Sequence, residues 1–217
     1  MTSHRIFARV ACSALALICV VGCANNPQVE ALQRAATALQ SPGSLLRTQA
    51  EVDAYPYAQL QMQLTGYLPA IAVLAEYAGE DHVWVAGGAF ALRQAPDGRI
   101  KRMQVGTSAT SVQWKGVMLQ PTVPTTYKLA VTLAGESQQP TVLAVACSLS
   151  ESVAASIIVN SRTIDTTRSR YECVSEGDEA AHAMTYWHDA SGRIRRAEGK
   201  LWSQGQGYLF EALKVPA

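Results

Sequence analysis

Charge is scarce in this chain: Asp, Glu, Lys and Arg make up 16% of its 217 residues, and Phe, Trp and Tyr only 7%. The few charges nearly cancel, 18 basic against 17 acidic, so the electrostatic footprint of a nucleic-acid binder is missing. Low charge beside 48% hydrophobic residues also excludes a disordered chain, which is poor in apolar residues and rich in charge of one sign. No apolar run reaches the roughly 20 residues that a membrane-spanning helix needs; Val10–Val21 stops at about a dozen.

Catalytic signatures are equally thin. G-x-S-x-G, H-E-x-x-H, the P-loop and G-x-G-x-x-G are all absent. There are four histidines, and His4 belongs to the leader. His182 and His188 in "HAMTYWHD" share a strand face, but six extended residues span about 20 Å, too far for one ion. His188 reads instead as a polar residue at a hairpin end and Asp189 as a turn former. No catalytic residue, metal ligand set or cofactor is expected.

What is present begins at the N-terminus. Arg5 and Arg9 precede the apolar run, which ends at Val20-Val21-Gly22-Cys23 and gives way to Asn25-Asn26-Pro27. A positive leader, a short apolar stretch and a small residue before a cysteine describe a secretory signal, and this one resembles the bacterial lipobox. Residues 1–22 are read as the signal peptide and Cys23 as the lipidation site. One acyl chain binds a membrane only marginally, whereas two or more hold stably, so acylated Cys23 would tether the protein. Ala24, in place of Asp, implies transfer to the outer membrane, with the protein on its periplasmic face.

Removing Arg5 and Arg9 leaves 16 basic against 17 acidic residues, about −1. Cys12 and Cys19 leave with the signal, and lipid consumes Cys23. Cys147 and Cys173 remain, candidates for a disulfide in an oxidising compartment. Leu143, Val145, Cys147 and Leu149 share one strand face, and Tyr171 shares a face with Cys173. The alternative is two small buried hydrophobes.

Residues 23–54 read as a lipidated tether. Asn26-Pro27 opens a short helix in which Val29, Leu32, Ala36 and Leu39 recur at helical spacing, and a second helical turn runs from Thr48 to Val52. From Tyr55 the period becomes two. In "YAQLQMQLTG", Ala58, Leu60, Met62 and Leu64 alternate with glutamines. "AIAVLAEYAG", "HVWVAGG", "AFALRQA", "RIKRMQVG", "TYKLAVTLAG", "TVLAVACSL", "VAASIIVNS", "SRYECVSEG", "AMTYWHDA", "RIRRAEGKL" and "GYLFEALKV" follow as strand-length runs. "APDGR" and "HDASGR" carry hairpin-turn chemistry. Residues 55–217 are therefore expected to form one antiparallel β-domain of about a dozen strands, a barrel or a curved sandwich.

Two hairpins concentrate positive charge: Arg93, Arg99, Lys101 and Arg102 around the first, then Arg193, Arg195, Arg196 and Lys200 after the second. They form a contact surface for an anionic polymer or acidic partner, or charged protection of strand edges. Trp84, Trp114, Trp187 and Trp202, with Tyr55 and Tyr57, could stack on sugars or fill the core. As contact residues, Arg93, Arg99, Lys101, Arg193, Arg195, Arg196 and Trp187 are the candidates.

The order of lipobox, short helix, "YPYAQLQMQL", "AVLAEYAGEDHVWVAG", "DGRIKRMQVG" and "TYWHDASGRIRRAEGKL…EALKV" resembles the YjbF/GfcB family over roughly residues 48–214. The likeness is strongest at Pro56-Tyr57-Ala58, Trp84, Gly98-Arg99, Trp187, Asp189 and Gly192. These are outer-membrane lipoproteins of group 4 capsule and exopolysaccharide operons. The resemblance implies a mainly antiparallel β-domain and a role in surface polysaccharide secretion or assembly, with no catalytic residues to carry over. Gly87-Gly88 stand where the family tends to place an acid, and Glu198–Leu201 lacks its Ser/Gln-rich pattern, so no role resting on those side chains transfers. The expected function is a non-enzymatic, membrane-anchored module that binds a polysaccharide exporter or the polysaccharide itself. Two alternatives are a periplasmic glycan-modifying enzyme using acids among Glu76, Asp81, Asp165 and Glu172, and an assembly factor for an outer-membrane protein.

Overall fold

Alternation between apolar and polar residues, sustained through most of the chain from Tyr55 onward, needs a sheet with one buried face. In the computed structural model that sheet closes on itself. The residues described are 47–87, 90–106, 108–115, 124–134, 139–177 and 180–216. Cys23, the expected helix after Pro27 and the Trp114 side chain lie outside them.

A six-residue helix α1 (Gln49–Ala54) comes first, at the expected helical turn. Thr48 caps it: its Oγ1 accepts from the Glu51 N–H, and the Glu51 carboxylate accepts from the Thr48 N–H at 2.7 Å. This reciprocal pair satisfies two of the orphan donors at the helix start. Twelve strands follow: β1 (Gln59–Leu64), β2 (Ala70–Ala78), β3 (Asp81–Ala86), β4 (Phe90–Gln94), β5 (Ile100–Val105), β6 (Ser108–Lys115), β7 (Thr126–Ala134), β8 (Thr141–Val159), β9 (Arg162–Ser175), β10 (His182–His188), β11 (Ile194–Lys200) and β12 (Gly207–Lys214). Each pairs antiparallel with its sequence neighbours, and β1 pairs with β12 to close the barrel. Because the strand number is even, the chain enters and leaves at one mouth. This proximal mouth also carries the β2–β3, β4–β5, β8–β9 and β10–β11 turns.

The inward row explains the sequence period. Leu60, Met62 and Leu64 of β1, Leu92 of β4, Met184 and Tyr186 of β10, and Tyr208 and Phe210 of β12 are all buried in one core. Aromatic rings fill its middle. Tyr127 and Tyr171 lie 4.7 Å apart edge to face, Tyr171 and Tyr186 6.1 Å, and Tyr208 stacks on Phe210 at 5.1 Å. The outward faces carry ion pairs such as Arg168–Glu151, Arg170–Glu172 and Arg196–Glu198. Apolar inside and charged outside is the reverse of a lipid-facing barrel. Gly199 permits the β10–β11 contact: a Cβ there would collide with the Ala183 carbonyl oxygen.

Cys147 and Cys173 are register partners across β8 and β9 and form a disulfide inside the barrel. On the chain-entropy account, closing a loop of this length stabilises by about 3.5 kcal/mol.

The strand count matches the expectation, but through two offsetting differences. "TVLAVACSL" and "VAASIIVNS" are one 19-residue strand, β8, because Ser150 forms a bulge between Leu149 and Glu151 rather than a break. "SATSVQWK", too polar to stand out, is β6. The distal half of the β8–β9 hairpin folds over the barrel's outer wall. Its Ile157 and Val159 pack with Val52 of α1 and with Ile71, Trp187 and Leu213, a second apolar cluster. Arg162 at its tip pairs with Asp53 at 2.7 Å.

That tip turns on Asn160 (φ 48°) and Ser161 (φ 70°), two positive φ values in succession as in a type I′ turn. Asn tolerates this conformation, whereas Ser is strained by roughly 1 kcal/mol. Ser161→Gly is expected to raise the thermal midpoint by about 2–4 °C, measured by circular dichroism. An unchanged or lower midpoint would mean that the turn is not held as described.

Candidate functional site

The two charged hairpins stand opposite one another in the barrel order, with four strands between them on either side (β3, β2, β1, β12 and β6, β7, β8, β9). Both turns open at the proximal mouth and bend across it until they touch. The Ile194 N–H donates to the Asp97 carbonyl at 2.8 Å. Gly98 makes this approach possible: its φ is +92°, and a Cβ would lie 3.0 Å from the Ile194 Cβ. The turns therefore plug the mouth.

Local chemistry fixes each turn. In the first, the Asp97 carboxylate accepts from the Arg99 N–H at 3.1 Å and from Arg99 Nε at 2.6 Å, and both side chains are 8% exposed. The Gln94 amide donates to the Gly98 carbonyl at 3.0 Å. In the second, Asp189 Oδ1 accepts from the Ser191 N–H at 2.9 Å and the Arg193 N–H at 3.1 Å, the side-chain mimic of a backbone turn.

Between and beneath the turns lies a cleft of about 20 Å³, room for one or two water-sized groups, lined by residues that include His82, Trp84, Arg193, Arg195 and Phe210. Burial, followed by the Arg193 cation, holds His82 below the ordinary imidazole range, against the opposing pull of Asp81. His188, at the inner end of β10 and 6% exposed, is likewise held low by burial, which outweighs a bond to the Gly192 backbone and the Asp97 and Asp189 charges. His182 begins β10 and His188 ends it, so they face opposite mouths. Among the described residues no group of three or more His, Cys, Asp or Glu side chains is placed to hold a metal ion.

The seven candidate contact residues divide into distinct settings. Arg193 and Arg195 line the mouth cleft. Arg99 is buried in its turn against Asp97. Arg93 and Lys101 lie on the outer wall and straddle Asp81 at 2.7 and 2.6 Å, each nearly half exposed. Burial alone would raise the Asp81 carboxyl, but the bonds from Lys101 and Arg93 outweigh it and hold the carboxyl below its ordinary value. Arg196 lies 5.0 Å over the Trp187 ring and 3.7 Å from Glu211. Trp187 itself is 8% exposed within the outer cluster, so it packs the β8–β9 hairpin rather than offering an open ring face. Trp84, buried at 2%, lines the cleft beside Phe210. The sequence leaves Trp84 open between stacking on sugars and filling the core, and only the meeting of the two turns places it at the cleft with Arg193.

Of the four acids considered for glycan chemistry, Asp81 is held by two cations, Asp165 bonds Ser156 at 2.8 Å, and Glu172 pairs with Arg170 at 3.3 Å. Glu76 is exposed on β2. Large exposed apolar side chains occur at the far mouth (Tyr67, Leu68), on the outer wall of β8 and β9 (Val142, Val153, Val174), at the hairpin tip (Ile158) and near the proximal mouth (Tyr57, Tyr77).

No protein-family model matches the chain, and no curated protein matches it. Its fold is nevertheless shared with solved structures. The crystal structure of the hypothetical lipoprotein YmcC from Escherichia coli K12 aligns with a TM-score of 0.66 at 17% identity, over 79% of this chain and 90% of that one. This likeness defines the class: a closed, antiparallel barrel of YmcC-like fold. A Bacteroides fragilis protein described as having a YmcC-like fold aligns at a TM-score of 0.37 and 8% identity, over 75% of this chain and 97% of that one. At that level it adds no argument.

The two depressed histidines set a pH dependence. An imidazole whose folded pKa lies below its unfolded value of about 6.5 binds protons more readily in the unfolded chain. Stability is then fully present above that value and is lost as pH falls. Thermal midpoints should fall between pH 7.5 and 5, and His188→Gln should shrink the fall. A midpoint that is flat with pH, or a variant with the same slope, would contradict the burial of neutral His188.

Proposed function

We propose that this protein is a non-enzymatic lipoprotein of the YjbF/GfcB type, anchored through acylated Cys23 at the periplasmic face of the outer membrane. There it serves capsule or exopolysaccharide secretion by binding an export component or the polysaccharide. The observation that carries this reading is the Val20-Val21-Gly22-Cys23 sequence placed ahead of a barrel whose fold matches that of a protein described as a lipoprotein. Two further features support it. The interior is packed with aromatic and aliphatic side chains, which suits a rigid binding body. The chain enters the barrel at β1 and leaves it after β12 at the mouth that also carries both charged hairpins, so the charged turns are grouped on one end of the barrel. Contact then falls to Arg93 and Lys101 on the outer wall and to Arg193 and Arg195 in the cleft. Arg99 and Trp187 act indirectly by holding the turns and the outer cluster.

Deletion of the gene should reduce surface polysaccharide, and wild type but not Cys23→Ser should restore it. The Cys23→Ser protein should move from the membrane to the soluble fraction. Normal surface polysaccharide in the deletion strain would count against the role. A membrane-bound Cys23→Ser protein would count against the anchor.

A further inference from the structure

The proximal cleft holds more hydrogen-bond donors than its own acceptors satisfy. The Trp84 indole lines it, and its buried Nε1 meets no acceptor among the described residues. Among the described residues Arg195 Nε is also buried without an acceptor, and the rest of that guanidinium reaches the Ala212 carbonyl at 3.4 Å and Asp189 at a long 3.8 Å. Arg193 gives one N–H to the Pro216 carbonyl at 3.3 Å, and no carboxylate pairs with it among the described residues. The nearby acids are already engaged: Asp97 by Arg99, Asp81 by Arg93 and Lys101, and Asp189 largely by its own turn. Buried polar groups are normally partnered, because leaving them dry is unfavourable. A cleft offering a neutral indole donor and two guanidinium groups is short of an acceptor, and an anionic one suits it best.

The geometry points to this cleft as a carboxylate-binding site that takes the acidic group of a hexuronate residue in a polysaccharide. The assignment deepens the glycan reading above and rests on it. A carboxylate is an acceptor only, with lone pairs enough for several donors at once, and guanidinium groups match its geometry better than an ammonium would. Size agrees as well. About 20 Å³, room for one or two water-sized groups, is too small for a pyranose ring, so only a small group such as a carboxylate could reach in. The ring would stay outside, where the exposed Pro96 supplies apolar surface. The Arg193 cation that helps to hold His82 low is the same field that would draw in the anion.

Calorimetric titration of the full chain in detergent tests this, with the Trp84 indole N–H resonance followed in parallel. The probes are a glucuronate-containing tetrasaccharide, a neutral tetrasaccharide of equal length, and a short neutral peptide with a free C-terminal carboxylate. The acidic saccharide should bind saturably and shift the Trp84 resonance, the other two probes should bind at least tenfold more weakly, and Arg193→Gln should weaken the acidic saccharide by about tenfold or more. Arg193 is partly exposed and lies outside the core, and an unchanged thermal midpoint would show that the variant is folded. The assignment is overturned if the acidic saccharide does not saturate, if the neutral sugar or the peptide matches it, or if Arg193→Gln has no effect. Should the acidic saccharide fail while polysaccharide export still needs anchored protein, the accessory role stands and only the cleft assignment falls. Should deletion leave polysaccharide normal while the cleft binds, the reverse holds.

Discussion

The pairing of β1 with β12 is the constraint on which the rest of the molecule depends. Without it the sheet would have two long unpaired edges, exposed templates for aggregation that closure alone removes. With it, an even-stranded meander must begin and end at one mouth. That geometric consequence brings α1, the C-terminal residues and every second hairpin to the same place. Closure also fixes which hairpins can face each other: the β4–β5 and β10–β11 turns meet only because the strands between them have curved into a ring.

Energetics follow the same plan. The interior is a packed core, with Tyr171, Phe210, Leu92 and Met184 almost wholly shielded from water. Polar groups are confined mainly to the mouths, where turn carboxylates such as Asp97 and Asp189 order the backbone. On the outside, the β8–β9 hairpin serves as a buttress. It covers Trp187 and Leu213 and clasps α1 through Arg162 and Asp53. Helix α1 is thus fastened to the barrel wall just before β1.

Much of this was legible in residue order, because it is local. The glutamine alternation of β1, the Asp-Gly and Asp-x-x-Gly turns and the shared face of Val145 and Cys147 are period-two and turn-type signals that need no tertiary knowledge. Ser150 was misleading, since a serine between two β-runs looks the same whether it ends a strand or bulges it. β6 was missed because Ser, Thr and Gln supply half of its length and its place comes from pairing with β5 and β7. The site was the least legible part. Arg99 reads as surface charge until Asp97 is seen to bury with it, and Trp187 reads as an open platform until the tip of the β8–β9 hairpin folds over it. Trp84 and Arg193 are too far apart in sequence for any spacing rule to join them. Only closure and the crossing of two turns bring them to one cleft.

The most direct test of closure is to place cysteines at Gln61 and Glu211, register partners on the outer face of β1 and β12. In Gln61→Cys/Glu211→Cys, mild oxidation should give a second intramolecular disulfide, mapped by mass spectrometry beside that of Cys147 and Cys173. A control pair one residue out of phase, Gln61→Cys/Phe210→Cys, should stay reduced because its side chains point to opposite faces. Failure of the first pair to cross-link, or equal cross-linking of both, would show that β1 and β12 do not meet in this register and would contradict a closed barrel.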